Sequence, residues 1–149
     1  MSAFDAFVIS ASGLTAERLR MDVISNNIAN VNTTKTIDGG PYQRQRVVFE
    51  PRGEKVNSLF PSMFDKSKMT AGFKGVKVTG VINDVNPPKL TFDPGHPDAN
   101  KEGYVAMPNV NIVKEMVDMI SATRAYEANV TALNSAKSMA AKALEIGKA

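Results

Sequence analysis

The stretch 110-VNIVKEMVDMISATRAYEANVTALNSAKSMAAKALEI-146 decides the fold of this chain. It contains neither proline nor glycine and is rich in good helix formers, so we expect one long helix over residues 110–146. At 1.5 Å per residue this helix would be about 55 Å long, which is more than a compact domain of this size needs. We therefore expect part of the helix to pack on other molecules.

Two stripes with the period of a coiled-coil seam run along this predicted helix. The first is apolar except for two positions, and a seam of this kind needs a partner helix. It comprises Ile112, Met116, Met119, Thr123, Tyr126, Val130, Leu133, Lys137, Ala140 and Leu144. The second lies about 100° round the helix and consists mostly of small side chains, so another backbone can approach closely there. It comprises Ala122, Ala125, Asn129, Ala132 and Ala136.

The natural partner is an amphipathic helix at the start of the chain. Its apolar positions are Phe4, Phe7, Ala11, Leu14, Met21, Ile24, Ile28 and Val31. Arg18 interrupts this apolar face, and Gly13 marks a bend or a close approach between backbones. A long helix inside a monomeric bundle is the alternative to assembly, but the chain offers only one other strong helix to cover two stripes.

The first helix is expected to end in the segment 25-SNNIANVNTT-34. Asparagine and threonine side chains compete for backbone hydrogen bonds, which stops a helix. Four asparagines lie within residues 26–32, which is more than one helix cap uses. Their amides either cap the helix locally or bond to a neighbouring segment or subunit.

Short strands are predicted between the helices. Residues 42–50 alternate polar and β-prone side chains, and residues 73–85 carry β-branched residues around two glycines. Residues 90–92 and 104–107 are weaker candidates, set between proline- and glycine-rich turns. Residues 51–72 show no clear period, and we interpret them as a partner-facing loop or as a disordered segment.

Composition excludes several classes of protein. The chain has 149 residues, 43% of them hydrophobic, which is enough for one domain with a modest core. The net charge of +3 comes from scattered residues, so nucleic-acid binding is disfavoured. Zero cysteine excludes disulfides and thiolate metal sites. No apolar run is long enough to insert in a membrane, and we expect no cleaved secretion signal.

No catalytic, metal or cofactor site is predicted. His96 is the only histidine and lies in a Pro-Gly-His-Pro-Asp turn, where a solvent-facing or hydrogen-bonding role is favoured over a metal or catalytic one. Asp93 and Asp98 suit turn formation. No phosphate-binding loop and no nucleophile elbow is present in the sequence. We therefore expect a protein that is not an enzyme.

Both ends of the chain resemble one family. The segments 12-SGLTA-16 and 25-SNNIANVNT-33 resemble the N-terminal signature of bacterial flagellar rod, hook and hook-associated proteins. The segments 115-EMVDMI-120 and 124-RAYEAN-129 resemble its C-terminal counterpart. The middle of the chain, with 93-DPGHPDAN-100 and 107-MPNVN-111, is similar to the short proximal-rod branch of that family, although residues 51–72 form a longer connection than is usual there.

These observations predict a mainly α fold with a small β insertion. Residues 1–34 would form an N-terminal assembly helix, residues 35–108 the β-containing insertion, and residues 109–149 a long C-terminal assembly helix. The two helices would form an antiparallel, coiled-coil-like pair. If Val31 lies level with about Ile112, equal rise puts Arg18 level with about Ala125 and Phe4 near Met139.

The resemblance implies a structural subunit of the flagellar basal-body rod. Its expected partners are copies of itself, other rod proteins and the flagellar type III export apparatus, in a tube that transmits torque and forms part of the export channel. We expect it in the periplasmic or envelope part of the basal body, reached without a cleaved signal peptide. An adaptor joining the rod to its export gate or membrane ring, and a wall hydrolase on a helical scaffold, are the alternatives.

The predicted assembly interface combines the seams with the asparagine-rich motif. It comprises Leu14, Met21, Asn26, Asn27, Ile28, Asn30, Asn32, Met116, Met119, Arg124, Tyr126, Asn129, Val130, Leu133 and Leu144. Arg18 would pair with Glu127, because a buried guanidinium without a partner is costly. Alternatively, Arg18 reaches solvent or another subunit. Leu144 and Ile146 would extend past the first helix and need apolar cover on a neighbouring chain.

Overall fold

A computed structural model describes residues 3–37, 39–52 and 75–147. For residues 3 and 4 it describes the backbone only. The elements are α1 (Ala3–Ala29), β1 (Gln45–Pro51), β2 (Val76–Asn83), β3 (Lys89–Phe92), β4 (Tyr104–Met107) and α2 (Ile112–Ile146). The predicted mainly α fold with a small β insertion is confirmed. Apart from its first two residues, the loop predicted at 51–72 lies outside the described residues, as does the beginning of the strand predicted at 73–85.

The ends of both helices follow from local hydrogen bonds. The side chain of Asn111 accepts a hydrogen bond from the backbone N–H of Lys114 at 3.2 Å, which caps the start of α2. At the end of α1 the Asn30 side chain donates to the carbonyl of Asn26 at 2.9 Å. With 27 residues in α1 and 35 in α2, the helices are about 40 Å and about 52 Å long.

The two helices pair antiparallel, in the predicted register. The Thr123 hydroxyl lies 3.6 Å from the Met21 sulfur, close to the level at which Arg18 was predicted to meet Ala125. Two turns along α1, a Cβ atom at Gly13 would lie 2.9 Å from the Asn129 side-chain amide. Gly13 therefore permits a close approach between the helices, and it lies against the predicted small-residue stripe.

The face of α2 that packs on α1 lies between the two predicted stripes. Ala122 and Ala136 of the small-residue stripe are buried, whereas Ala132 is exposed. The apolar stripe flanks the contact, with six half-buried members and with Ile112, Met116, Lys137 and Leu144 exposed. The half-buried members are Met119, Thr123, Tyr126, Val130, Leu133 and Ala140. The chain therefore covers the middle of the apolar seam and leaves members at both ends exposed, and Glu115 occupies the inward position in the first turns.

The insertion contains two separate two-stranded antiparallel sheets, β1–β2 and β3–β4. A bulge between Val48 and Phe49 interrupts the β1–β2 register. The Ser12 hydroxyl attaches this sheet to α1, since it accepts from the Val76 N–H at 3.1 Å and donates to a carbonyl of its own helix at 2.7 Å. Gly75 has φ +90° and no space for a Cβ beside Ser12, so glycine is required at the start of β2.

The contact between Gly13 and Asn129 predicts that the effect of Gly13→Ala on stability changes sign when the Asn129 side chain is removed. Gly13→Ala should destabilise the chain by about 1 kcal/mol, because the Asn129 amide would have to move and give up its 2.9 Å hydrogen bond to the Ala125 carbonyl, which outweighs the gain in helix propensity. In an Asn129→Ala background the same change should stabilise the chain by up to about 1 kcal/mol. Denaturant unfolding of the four proteins measures this, and an effect of the same sign in both backgrounds would contradict the observed packing.

Candidate functional site: an apolar stripe above a buried polar cluster

Asn27 lies at the centre of a hydrogen-bonded group that joins α1 to the insertion and to α2. Its side chain is fully buried. The side-chain oxygen accepts from the Gln45 N–H and from the Tyr42 hydroxyl, each at 2.9 Å. The amide nitrogen donates to the Gln45 carbonyl at 2.8 Å and to the Glu115 carboxylate at 3.0 Å. Asn27 thus uses its full hydrogen-bonding capacity. It binds both backbone groups of Gln45, as a neighbouring strand in a sheet would.

Glu115 is also fully buried, on the inward side of α2. Its second carboxylate oxygen accepts from Arg44 at 2.7 Å (Nε) and 2.6 Å (Nη2). The Arg44 guanidinium also lies 3.8 Å from the Asp84 carboxylate and 3.7 Å from the Asp118 carboxylate. The Asp118 carboxylate in turn lies 3.7 Å from the Arg20 guanidinium. A buried carboxylate is costly unless it is paired and hydrogen-bonded, and Glu115 is both.

These residues form one unit, which we call the polar cluster. It comprises Arg20, Asn27, Tyr42, Arg44, Asp84, Glu115 and Asp118. Burial raises the pKa of the Tyr42 hydroxyl, and the nearby negative charge of Glu115 raises it further. Tyr42 is therefore held as the neutral donor that Asn27 requires.

Above the polar cluster, the first three turns of α2 carry their apolar residues on the outside. Val113, Met116, Val117 and Ile120 are 71%, 55%, 61% and 61% exposed. Their spacing of three and four places them on one side of the helix, and we call them the outer stripe. A helix of a monomeric globule buries such a face and exposes its acidic side chains. Here the arrangement is reversed.

The far end of α2 is a second uncovered apolar surface. Met139, Leu144 and Ile146 are all exposed. They lie at or beyond the level that the register assigns to the start of α1. The exposure of Leu144 and Ile146 agrees with the expectation that the first helix does not reach them.

Two predictions about site residues require correction. Asn27 was predicted to contribute to an assembly interface, but its side chain is fully buried and bonds to Tyr42, Gln45 and Glu115. Arg18 and Glu127 do not pair among the described residues. The Glu127 carboxylate lies 3.4 Å from the guanidinium of Arg124, one turn away on the exposed side of α2. Arg18 is exposed and lies beside a hollow between α1 and β2. An exposed guanidinium needs no internal partner, which removes the reason for the predicted pair.

The other predicted interface residues divide by exposure. Those that are half-buried between or beside the helices are Leu14, Met21, Ile28, Asn30, Met119, Tyr126, Asn129, Val130 and Leu133. Those exposed to solvent are Asn26, Asn32, Met116, Arg124 and Leu144. Sequence reasoning missed three members of the outer stripe, although their spacing was a readable signal. It also missed Arg44 and Glu115, whose contact joins residues 71 positions apart.

Within residues 3–37, 39–52 and 75–147, no group of three or more histidine, aspartate or glutamate side chains is placed to hold a metal ion. Neither α1 nor α2 contains an apolar window long enough to cross a membrane.

Comparison with known proteins assigns the chain to a family. A model of flagella basal body rod proteins matches residues 8–35, and a model of the C-terminal region of flagellar basal body rod FlgEFG proteins matches residues 101–146. A FlgC flagellar basal-body rod protein of Borreliella burgdorferi is 52% identical, over 98% of both chains. The chain belongs to the FlgC family of flagellar basal-body rod proteins.

Other members of the family match over the same length. FlgC of Bacillus subtilis is 51% identical over 99% of this chain and 100% of its own, and FlgC of Salmonella typhimurium is 39% identical over the same shares. The two family-model matches cover most of α1 and all of α2. They include Asn27 and Glu115, whereas Arg44 lies between the matched ranges.

Removing the Asn27 side chain should be costly. Asn27→Ala would remove the hydrogen-bond partner of half-buried groups of Gln45 and Tyr42 and of one oxygen of the buried Glu115, so we expect a loss of about 2–4 kcal/mol in the free energy of unfolding. Asn32→Ala, at an exposed position of the same motif, is the control and should change it by less than about 0.5 kcal/mol. Similar losses for the two variants in denaturant unfolding would show that Asn27 is not part of a stabilising cluster.

The raised pKa of Tyr42 predicts a loss of stability in alkali. Tyr42 keeps its hydroxyl proton to a higher pH in the folded state than in the unfolded state. Its contribution to the free energy of unfolding is therefore fully present below the ordinary tyrosine pKa of 10.0. It is lost as the pH rises through the folded-state value. The free energy of unfolding should therefore fall more steeply above about pH 10 for the wild type than for Tyr42→Phe. Parallel pH profiles for the two proteins would contradict the assignment.

Proposed function

We propose that this chain is a structural subunit of the proximal part of the flagellar basal-body rod, where it assembles with copies of itself and with other rod proteins. The outer stripe carries this proposal, because it is an uncovered apolar helix face on a chain of the FlgC family. Packing between subunits would bury that face and remove apolar surface from water.

Assembly into a tube follows from contacts between unlike surfaces. The outer stripe and the exposed end of α2 lie near opposite ends of one helix about 52 Å long. If each meets a different surface of a neighbour, the contacts are heterologous and propagate into a helical structure. A tube of this kind can transmit torque and enclose part of the export channel.

The proposed location is the part of the rod in the periplasm or envelope, reached through the flagellar type III export apparatus without a cleaved signal peptide. The FlgC relatives support the basal body as the site of assembly. The absence of cysteine suits an oxidising compartment, since no thiol can be cross-linked there.

The proposed role is structural rather than catalytic. The buried carboxylate of the polar cluster is committed to Arg44 and Asn27, so neither oxygen is free to act as an acid or base. The same contacts hold secondary-structure elements together, which is a structural task.

Genetic replacement in a bacterium that carries this chain tests the proposal. Deletion should abolish filaments and swimming while growth continues, and the wild-type chain should restore both. Val117→Asp should fail to restore swimming, because a charge in a buried subunit contact costs several kcal/mol. Ser135→Asp is the control, since Ser135 is exposed and polar on the same side of α2.

Normal swimming in the deletion strain would contradict the proposed function itself. If the deletion abolishes swimming but Val117→Asp and Ser135→Asp both restore it, the outer stripe is not the surface through which the subunit assembles.

A further inference from the structure

The rotation of the first three turns of α2 about the helix axis decides which side chains face inward. Successive residues are 100° apart, so turning these turns by one residue would replace Glu115 by Met116 on the inward side. Ile120 would turn inward with Met116, and Ala122 would turn outward. Met116 and Ile120, which this second rotation would turn inward, are more than half exposed in the structure, and Met116 is a member of the predicted apolar seam.

Hydrophobic burial favours the second rotation. In the structure, four apolar side chains of the outer stripe are more than half exposed, while a carboxylate occupies the interior below them. Burial of apolar surface alone would select the opposite arrangement. Something specific must therefore hold Glu115 inward.

The specific element is the set of contacts around Glu115. Arg44 donates twice to one carboxylate oxygen and Asn27 donates to the other, so both oxygens are bound. Asn27 is in turn fixed by both backbone groups of Gln45. Turning Glu115 outward would break these contacts, take one acceptor from the buried Asn27 amide and leave Arg44 with only its longer contacts to Asp84 and Asp118.

We propose that the contacts of Asn27 and Arg44 with Glu115 set the rotation of α2 and thereby keep the outer stripe exposed to receive a second rod subunit. The cluster acts by positioning the stripe and makes no contact with that subunit. The rotation itself is a property of the isolated chain, and only the identity of the occupant rests on the proposed function.

Thiol labelling of single-cysteine variants measures the rotation, because the chain has no cysteine of its own. Ile120→Cys reports the outer stripe, and Ala122→Cys reports a position that is fully buried. In the otherwise wild-type chain, labelling with iodoacetamide should be at least about tenfold faster at position 120 than at position 122.

Each reporter is then combined with Arg44→Met. This change leaves the Glu115 carboxylate without its cation, so position 120 should become protected and position 122 accessible. We expect the ratio of the two labelling rates to fall at least about tenfold. Arg46→Met is the matched control, because Arg46 is an exposed arginine two residues along the same segment, and its ratio should not change.

The double change Arg44→Met with Glu115→Gln separates rotation from stability, because glutamine is uncharged but still places a polar group on the inward side of α2. It leaves no buried charge, so a cluster that only stabilises the fold predicts the wild-type labelling ratio. Our proposal predicts a shifted ratio with helical circular dichroism retained. An unshifted ratio in this double variant, or loss of its helical signal, would overturn the proposal even if Arg44→Met alone unfolds. Because labelling needs no rod, these outcomes are independent of the swimming assay.

Discussion

The bond between the buried Glu115 carboxylate and the Arg44 guanidinium is the constraint on which the rest of this structure depends. Glu115 comes from α2, Arg44 from the segment that enters β1, and Asn27, which holds the other carboxylate oxygen, from α1. Through these two contacts the Glu115 side chain ties both helices to the insertion. Because the carboxylate is fully buried, it tolerates no arrangement in which these partners move apart.

This constraint explains how the two terminal segments act together. Asn27 lies in the N-terminal range matched by the rod-protein family and Glu115 in the C-terminal range, and they meet at 3.0 Å across the helix pair. The asparagine-rich motif divides into two roles. Asn30 bonds within its own turn, as a local cap does, whereas Asn27 joins three separate segments. Both of the roles considered for these amides are present, at different residues.

Much of the fold was predictable because the signals are local. The helices follow from long stretches free of proline, the strands from β-prone residues between turns, and the antiparallel register from equal rise over two helices. The bounds of β4 match the prediction, and a close approach was one of the two roles predicted for Gly13. The candidate site was predicted less well, since only part of the outer stripe was recognised and Asn27 was placed at a surface.

The sequence by itself determined the two helices, their pairing, the β insertion and the family, because each depends on neighbouring residues or on motifs within one segment. Only the tertiary structure decided which side of α2 faces inward. Burial of apolar surface would favour one side, whereas the hydrogen bonds of the Glu115 carboxylate favour the other. Those bonds come from Arg44 and Asn27, which lie 71 and 88 positions away along the chain. Periodicity counts only the apolar side of this balance, because no pattern along one helix reveals which distant donors a buried charge will meet.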